Sequence, residues 1–140
     1  MTGCVLGFDY GVRRIGVAGG NCISQSARPL PVLTARQGQP DWSRVDALLS
    51  EWKPEALIVG LPLTRDGDEQ ATTRGARAFA DALGKRSGLP VHLIDERHTS
   101  QEAARRFAAQ RASGSARRRD AENIDSLAAA VILESWLQSG

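Results

Sequence analysis

The sequence contains few of the residues on which disulfide scaffolds and aromatic stacking surfaces depend. Its 140 residues include two cysteines and one tyrosine, and aromatic residues make up only 5% of the chain. Cys4 and Cys22 have neither the spacing of metal ligands nor the number needed for a disulfide framework. Cys4 lies in an apolar run, where a cysteine is usually a small buried hydrophobe. We therefore expect a protein of the reducing cytoplasm.

Long hydrophobic runs are also absent. The most apolar stretches, residues 56–63 and 127–133, are much shorter than the roughly 20 residues that cross a bilayer. The first residues lack the basic, apolar and small-residue order of a signal peptide. The net charge is a mild +2, and neither a repeat nor a linker divides the chain. These features predict one domain over residues 1–140 that does not associate with membranes.

Strand and helix patterns alternate along the chain. Apolar runs at residues 4–8 and 14–18 are close enough to form a hairpin, and residues 30–34 predict a third, weaker strand. Asp41 is the expected N-cap of a helix that Pro54 ends. The later elements are a strand at 56–59, a helix containing Phe79, a strand at 91–94, a helix opened by a capping box at Thr99, and a final helix containing Ile124. This order predicts an α/β fold whose mixed central sheet, with antiparallel hairpin strands and parallel strands, has helices on both faces.

Three acidic residues occupy positions beside the predicted core, where charged residues are rare in soluble proteins. Asp9 ends the first apolar strand, Glu96 follows the last one, and Asp125 lies in the first turns of an otherwise apolar helix. If the two strands are neighbours, Asp9 and Glu96 emerge at the same edge of the sheet, and a helix across that edge would bring Asp125 beside them. Carboxylates about 4 Å apart repel by roughly 1 kcal/mol per pair in water, and shared protons or divalent cations would offset this repulsion. An all-oxygen set suits Mg²⁺ or Mn²⁺, which support phosphodiester hydrolysis.

Each of these carboxylates also has an ordinary structural explanation. Asp9 stands where a turn residue is common, and Glu96 can pair with a nearby arginine on the surface. Asp125 is favourable simply as an anion near a helix N-terminus. Spacing alone leaves both explanations open.

Positive charge is concentrated before the final helix. Residues 105–119 contain six arginines and no acidic residue, a pattern that is often only a solvated basic face. Because this segment directly precedes the helix of Asp125, its arginines are expected to guide a phosphate backbone toward the carboxylates. The candidates for this contact are Arg111, Arg117, Arg118 and Arg119.

The turn after Asp9 offers further candidates for nucleic-acid contact. Arg13 and Arg14 are expected to bind phosphate, and Tyr10 is the aromatic residue best placed to touch substrate. The sequence offers no set of exposed aromatics that would stack single-stranded bases. We therefore expect recognition through the backbone more than through base identity.

Four segments, in order along nearly the whole chain, resemble the signatures of the YqgF family, also called RuvX-like Holliday junction resolvases. They are residues 7–11 with 14–18, residues 59–69, residues 95–100 and residues 125–133. The resemblance implies a ribonuclease H-like fold with metal-binding catalytic residues at Asp9, Glu96 and Asp125. It also implies maturation of the 5′ end of the small-subunit ribosomal RNA precursor, which competes with cleavage of four-way DNA junctions. A fourth acidic ligand has no clear counterpart among Asp66, Glu69, Asp95 and Asp120, and His98 is not expected to be catalytic.

Other functions remain as alternatives. The opening motif also occurs in sugar kinases and actin-like ATPases, but those proteins need a second domain for which this length leaves no room. A non-catalytic nucleic-acid-binding factor of ribosome assembly is a further alternative. The preferred hypothesis is a cytoplasmic metal-dependent nuclease acting on precursor ribosomal RNA, with branched DNA as the second choice. We expect a monomer or a weak homodimer, and a junction resolvase should act as a two-fold dimer.

Overall fold

The structure is a computed structural model that describes residues 3–11, 13–61, 70–95 and 120–139, with the side chains of the last range described from Ser126 to Gln138. Within these ranges the chain forms six strands and three helices. The strands are β1 (Cys4–Asp9), β2 (Arg14–Asn21), β3 (Ser26–Arg36), β4 (Gln39–Pro40), β5 (Ala56–Leu61) and β6 (Val91–Asp95), and the helices are α1 (Trp42–Trp52), α2 (Ala71–Ser87) and α3 (Asp120–Ser139). The helix expected at Thr99 lies outside the described residues.

The six strands form one mixed sheet in the order β4-β3-β2-β1-β5-β6. β1, β5 and β6 are parallel, whereas β2 is antiparallel to both β1 and β3. The C-terminal ends of β1, β3, β5 and β6 therefore share one edge of the sheet. The prediction of a mixed sheet is confirmed. The first and last predicted strands are not neighbours, however, because β5 lies between them and separates β1 from β6 by two strand spacings, about 10 Å.

Helices cover both faces of the sheet, as predicted. On one face, called the α1–α2 face, a core that includes Leu6, Phe8 and Phe79 packs beneath α1 and α2. On the other, the α3 face, Val5 and Ile58 pack against the apolar side of α3. Successive residues of a strand point to opposite faces, so β1 contributes alternately to the two cores. None of the three described helices combines the length and apolarity of a membrane-spanning segment.

The ends of α1 follow the local sequence signals. Asp41 caps the helix, and its Oδ1 accepts a hydrogen bond of 3.1 Å from the backbone N–H of Ser43. After Trp52 the chain leaves the helix at Lys53, which has a φ of 48°, and Pro54 prevents continuation. The predictions for both ends of this helix are confirmed.

The hairpin region differs from the prediction. β3 is longer than the expected residues 30–34 because its pairing with β2 extends from Arg14–Thr34 to Asn21–Ser26. β4 was not predicted. It follows a turn in which Gln37 and Gly38 have φ values of 52° and 81°, the type I′ pattern for which Asn-Gly is the usual signal. Gln-Gly does not carry that signal.

Two glycines allow α3 to lie close to the sheet. A Cβ atom added at Gly7 of β1 would lie 2.9 Å from Leu133 Cβ, and one added at Gly20 of β2 would lie 2.8 Å from Leu133 Cδ2. Real Cβ atoms do not approach side chains this closely. Leu133 of α3 therefore occupies the space above two strand positions that have no side chain.

A double-mutant cycle tests this packing. Gly20→Ala should lower the free energy of unfolding by about 1–3 kcal/mol, because the added methyl group would lie 2.8 Å from Leu133 Cδ2, an atom that Leu133→Ala removes. Leu133→Ala should cost about 2–5 kcal/mol by leaving a cavity. Since the two changes relieve each other, the double variant should lose less than the sum of the single losses, as measured by urea unfolding. Strict additivity would show that the two residues do not meet.

Candidate metal and nucleic-acid site

Asp9 ends β1 at the edge where the parallel strands finish. It is partly buried, and strand alternation places it on the α3 face with Val5 and Gly7. Its partner in β2 is Gly16, and its partner in β5 is Gly60. Neither strand neighbour has a side chain, so the Asp9 carboxylate is flanked within the sheet by backbone alone. This role of the two glycines depends on strand register and is not visible in the sequence.

The acidic residue of the last strand, Asp95, belongs to the α1–α2 face. Asp95 pairs with Leu61, which belongs to the α1–α2 face. By contrast, Ile94 packs on the α3 face, and the ring of His92 lies 5.3 Å from that of Trp136 in α3. Asp95, one candidate for a fourth acidic ligand, is therefore on the face opposite Asp9.

The other acidic candidates lie outside the described residues or in the first turns of α3. Glu96, Asp66 and Glu69 lie outside the described residues. Asp120 and Asp125 belong to α3, but their side chains are not described. Within the part of the chain that the structure describes, no three histidine, cysteine or acidic side chains form a potential metal-binding group.

Ser126 joins α3 to β2, beside the end of β1. Its side chain is fully buried, and its Oγ accepts a 3.2 Å hydrogen bond from the backbone N–H of Val17. The pairing of β2 with β3 shifts register between Ile15 and Val17, and such an irregularity interrupts the ladder of strand hydrogen bonds. Val17 pairs with Phe8, the residue before Asp9. The hydrogen bond therefore fixes the early part of α3 beside the end of β1.

Tyr10 is a core residue, which corrects the expectation that it touches nucleic acid. Only 7% of its surface is exposed, and its ring centroid lies 5.6 Å from that of Phe79. Its hydroxyl donates a 2.9 Å hydrogen bond to the carbonyl oxygen of Gly38, and burial raises the pKa of this hydroxyl above its usual value. The aromatic ring and its polar end are therefore both engaged inside the protein.

Two predicted phosphate contacts lie at the same edge as Asp9. Arg13 and Arg14 are exposed, and the carbonyl oxygen of Arg13 accepts a 2.8 Å hydrogen bond from the N–H of Ala35 in β3. The structure thus brings these arginines close to Asp9 in the fold. The other predicted contacts and His98 lie outside the described residues: Arg111, Arg117, Arg118 and Arg119.

The two cysteines lie at the opposite edge of the sheet. Cys4 begins β1, and Cys22 directly follows β2, which runs the other way. Cys4 is partly buried rather than fully buried, Cys22 is exposed, and neither forms a disulfide. The thiols are therefore remote from Asp9.

Comparison with known proteins places the chain among nucleases. A family model described as "RuvX: Holliday junction resolvase" matches residues 3–139. A protein of Xanthomonas oryzae pv. oryzae named "Putative pre-16S rRNA nuclease" is 53% identical over 135 residues, which cover 96% of this chain and 87% of that protein. A protein of the same name from Xanthomonas axonopodis pv. citri is 52% identical over the same shares of the two chains.

Solved structures confirm the ribonuclease H-like fold. T. thermophilus RuvC in complex with a Holliday junction substrate matches with a TM-score of 0.64 and 22% identity, over 98% of this chain and 96% of that one. The fowlpox virus Holliday junction resolvase matches with a TM-score of 0.56 and 15% identity, over 98% of this chain and 99% of that one. At these identities the likeness concerns the fold.

Substitution of Ser126 tests the anchoring of α3. Ser126→Ala removes the acceptor for a buried backbone N–H and should lower the free energy of unfolding by about 1–3 kcal/mol. Ser50→Ala is the matched control, because Ser50 is an exposed helical serine whose replacement should change stability by less than about 0.5 kcal/mol. Urea unfolding of both variants measures the difference. Equal stability of the two variants would contradict the role assigned to the Val17–Ser126 hydrogen bond.

Proposed function

The chain belongs to the RuvX family, and we propose that this nuclease hydrolyses phosphodiester bonds of precursor ribosomal RNA at the C-terminal edge of β1, β5 and β6. One observation carries the proposal: Asp9 emerges at that edge on the α3 face, at the point where Ser126 fixes the helix that contains Asp125. Ligand sites of open α/β sheets commonly lie outside the carboxyl ends of the parallel strands.

We propose that Asp9, Glu96 and Asp125 hold the divalent metal. Alternation in β6 assigns Asp95 to the α1–α2 face, opposite Asp9. Glu96 directly follows Asp95 in the sequence and is the acidic residue that the family resemblance assigns to the metal. Asp125 directly precedes Ser126, the residue bonded to Val17.

The donor set fits a hard divalent cation. Carboxylate oxygens without cysteine or histidine favour Mg²⁺ or Mn²⁺ over zinc, and neither residue paired with Asp9 in the sheet has a side chain. When bound, such a metal lowers the pKa of water and offsets charge that develops on the phosphate. The residues of the chain have separate tasks. The strand register fixes the position of Asp9, and the three carboxylates supply the negative charge that retains the cation.

The arginines at this edge would hold the substrate. Arg13 and Arg14 offer exposed guanidinium groups near Asp9, and guanidinium groups bind phosphate oxygens in bidentate geometry. Arg111, Arg117, Arg118 and Arg119 extend the same function by their position in the sequence before α3. Phosphate contacts hold a nucleic acid in position without reading its bases, so specificity would come from the shape of the substrate.

Precursor ribosomal RNA is the preferred substrate because of the closer relatives. The Xanthomonas proteins named for pre-16S rRNA are about half identical to this chain, whereas RuvC bound to a DNA junction is 22% identical. Substrate choice varies more readily than fold. A four-way DNA junction is the second candidate, favoured by the description of the matching family.

A cleavage assay with Asp9→Asn tests the site and the substrate together. The wild type should cleave a labelled pre-16S rRNA leader with Mn²⁺ but not with EDTA, and should cleave a four-way DNA junction more slowly. Asp9→Asn should lower the cleavage rate at least about 100-fold, since weaker metal binding removes several kcal/mol of transition-state stabilisation. RNA binding, measured by fluorescence anisotropy, should be largely unchanged.

The matched control is Asp81→Asn, an exposed aspartate of α2 that pairs with Lys85 and should not affect cleavage. Cleavage by Asp9→Asn at the wild-type rate would show that the site is wrongly assigned. RNA binding by the wild type without cleavage of either substrate would favour a non-catalytic assembly factor. Faster cleavage of the DNA junction would reverse the order of the two substrates.

A further inference from the structure

The β3–β4 turn, residues 36–39, lies at the same edge of the sheet as Asp9. β3 runs in the direction of β1, because both are antiparallel to β2. The last residue of β3 is Arg36, which pairs with Gln39 across the turn. The preceding residue, Ala35, donates its N–H to the carbonyl oxygen of Arg13. Arg36 is therefore the next residue after Ala35, whose N–H binds the backbone of Arg13.

The charge around this turn is positive. Arg13 and Arg36 are exposed, and within the described residues neither side chain forms an ion pair; the described pairs join Asp46 to Arg86 and Asp81 to Lys85. Exposed guanidinium groups without a carboxylate partner are suited to phosphate, which they bind through several N–H groups at once. Arg36 does not stand out in the sequence, because it is an isolated arginine between uncharged residues.

The turn is tightly constrained. Gln37 and Gly38 both have positive φ, and for Gln37 this conformation costs about 1 kcal/mol that the surroundings must offset. The Tyr10 hydroxyl donates to the Gly38 carbonyl oxygen. A Cβ atom at Gly38 would lie 2.5 Å from the Tyr10 hydroxyl oxygen, so the turn fits closely over the end of the tyrosine. Tyr10 is the residue after Asp9, and it therefore links this turn to the strand end that carries Asp9.

We propose that the β3–β4 turn is a nucleic-acid-binding element in which Arg36 contacts a backbone phosphate beside Arg13, and in which Tyr10 holds the turn in position relative to Asp9. The inference rests on the proposed function, because it requires nucleic acid at this edge of the sheet. Arg36 is a binding residue, and Tyr10 is a positioning residue that touches no substrate. Because the turn is already held in one conformation before nucleic acid binds, it loses little conformational entropy on binding.

Arg28 provides a matched control within the same strand. It is exposed like Arg36, but it lies near the other end of β3, about 26 Å away along an extended strand. Its guanidinium carbon lies 5.4 Å from the centre of the Trp52 ring. Removal of Arg28 takes away the same charge from the same strand at a point remote from Asp9.

The test is a binding titration with a labelled pre-16S rRNA leader in EDTA, followed by fluorescence anisotropy between 50 and 200 mM salt. Arg36→Ala should weaken binding about fivefold and reduce the slope of log K against log salt by about one, the effect of one lost phosphate contact. Arg28→Ala should bind as the wild type does. An Arg36→Ala variant with the slope and affinity of Arg28→Ala would overturn the proposal.

Tyr10→Phe tests the positioning role, because it keeps the buried ring and removes only the hydroxyl. It should weaken RNA binding in the wild-type background but have little further effect when combined with Arg36→Ala. Thermal unfolding checks that each variant is folded. Equal weakening by Tyr10→Phe with and without Arg36 would show that Tyr10 does not act through the turn.

The outcomes also separate this inference from the proposed function. Unchanged RNA binding by Arg36→Ala together with normal cleavage would overturn the role of the turn and leave the nuclease assignment intact. A wild-type protein that neither binds nor cleaves nucleic acid would overturn both.

Discussion

The close packing of α3 on the sheet is the constraint on which the candidate site depends. Leu133 can lie over β1 and β2 only because Gly7 and Gly20 have no side chains. The Val17–Ser126 hydrogen bond then fixes where along the sheet the helix lies. An apolar contact alone is not directional, whereas a buried N–H has to meet an acceptor at a defined point. The two interactions together set how close α3 lies to the sheet and where along the sheet it lies. They therefore also set the position of the Asp125 backbone.

The sheet separates charges by face as well as by edge. Asp9 and Asp95 both end parallel strands at the same edge, yet alternation assigns them to opposite faces. To lie beside Asp9, an acidic residue therefore has to satisfy two conditions. It must stand at the C-terminal end of its strand, and its side chain must point to the α3 face. This explains why an abundance of acidic residues near the ends of strands does not by itself define a metal site. Asp95 meets the first condition but not the second.

Sequence patterns predicted the elements whose causes are local. Asp41 and Pro54 mark the ends of α1 because capping and chain termination involve only neighbouring residues. The apolar run of β5 indicates a buried central strand because both of its faces are covered. β3 was harder to predict, since it is exposed over much of its length and its pairing shifts register opposite Ile15 and Val17.

The candidate site was predictable in its chemistry but not in its geometry. Asp9 stands out at the end of an apolar run, and the arginines after it are visible in the sequence. The lack of side chains beside Asp9 in the sheet depends on the register that pairs it with Gly16 and Gly60, and the anchor at Ser126 depends on a residue 109 positions away. Tyr10 was misassigned for the same reason. An aromatic residue next to a turn suggests exposure until the partner of its hydroxyl, 28 residues later, is known.

The link between Asp9 and the β3–β4 turn depends on the chemical nature of Tyr10. A charged residue buried at this position would need a compensating partner, whereas a neutral phenol needs only one acceptor, the Gly38 carbonyl oxygen. Because burial raises the pKa of this hydroxyl, it stays protonated throughout the neutral range and remains a donor. The hydrogen bond between Tyr10 and Gly38 is therefore unaffected by changes of pH in the neutral range. The position of the turn relative to Asp9 therefore stays constant over the neutral pH range.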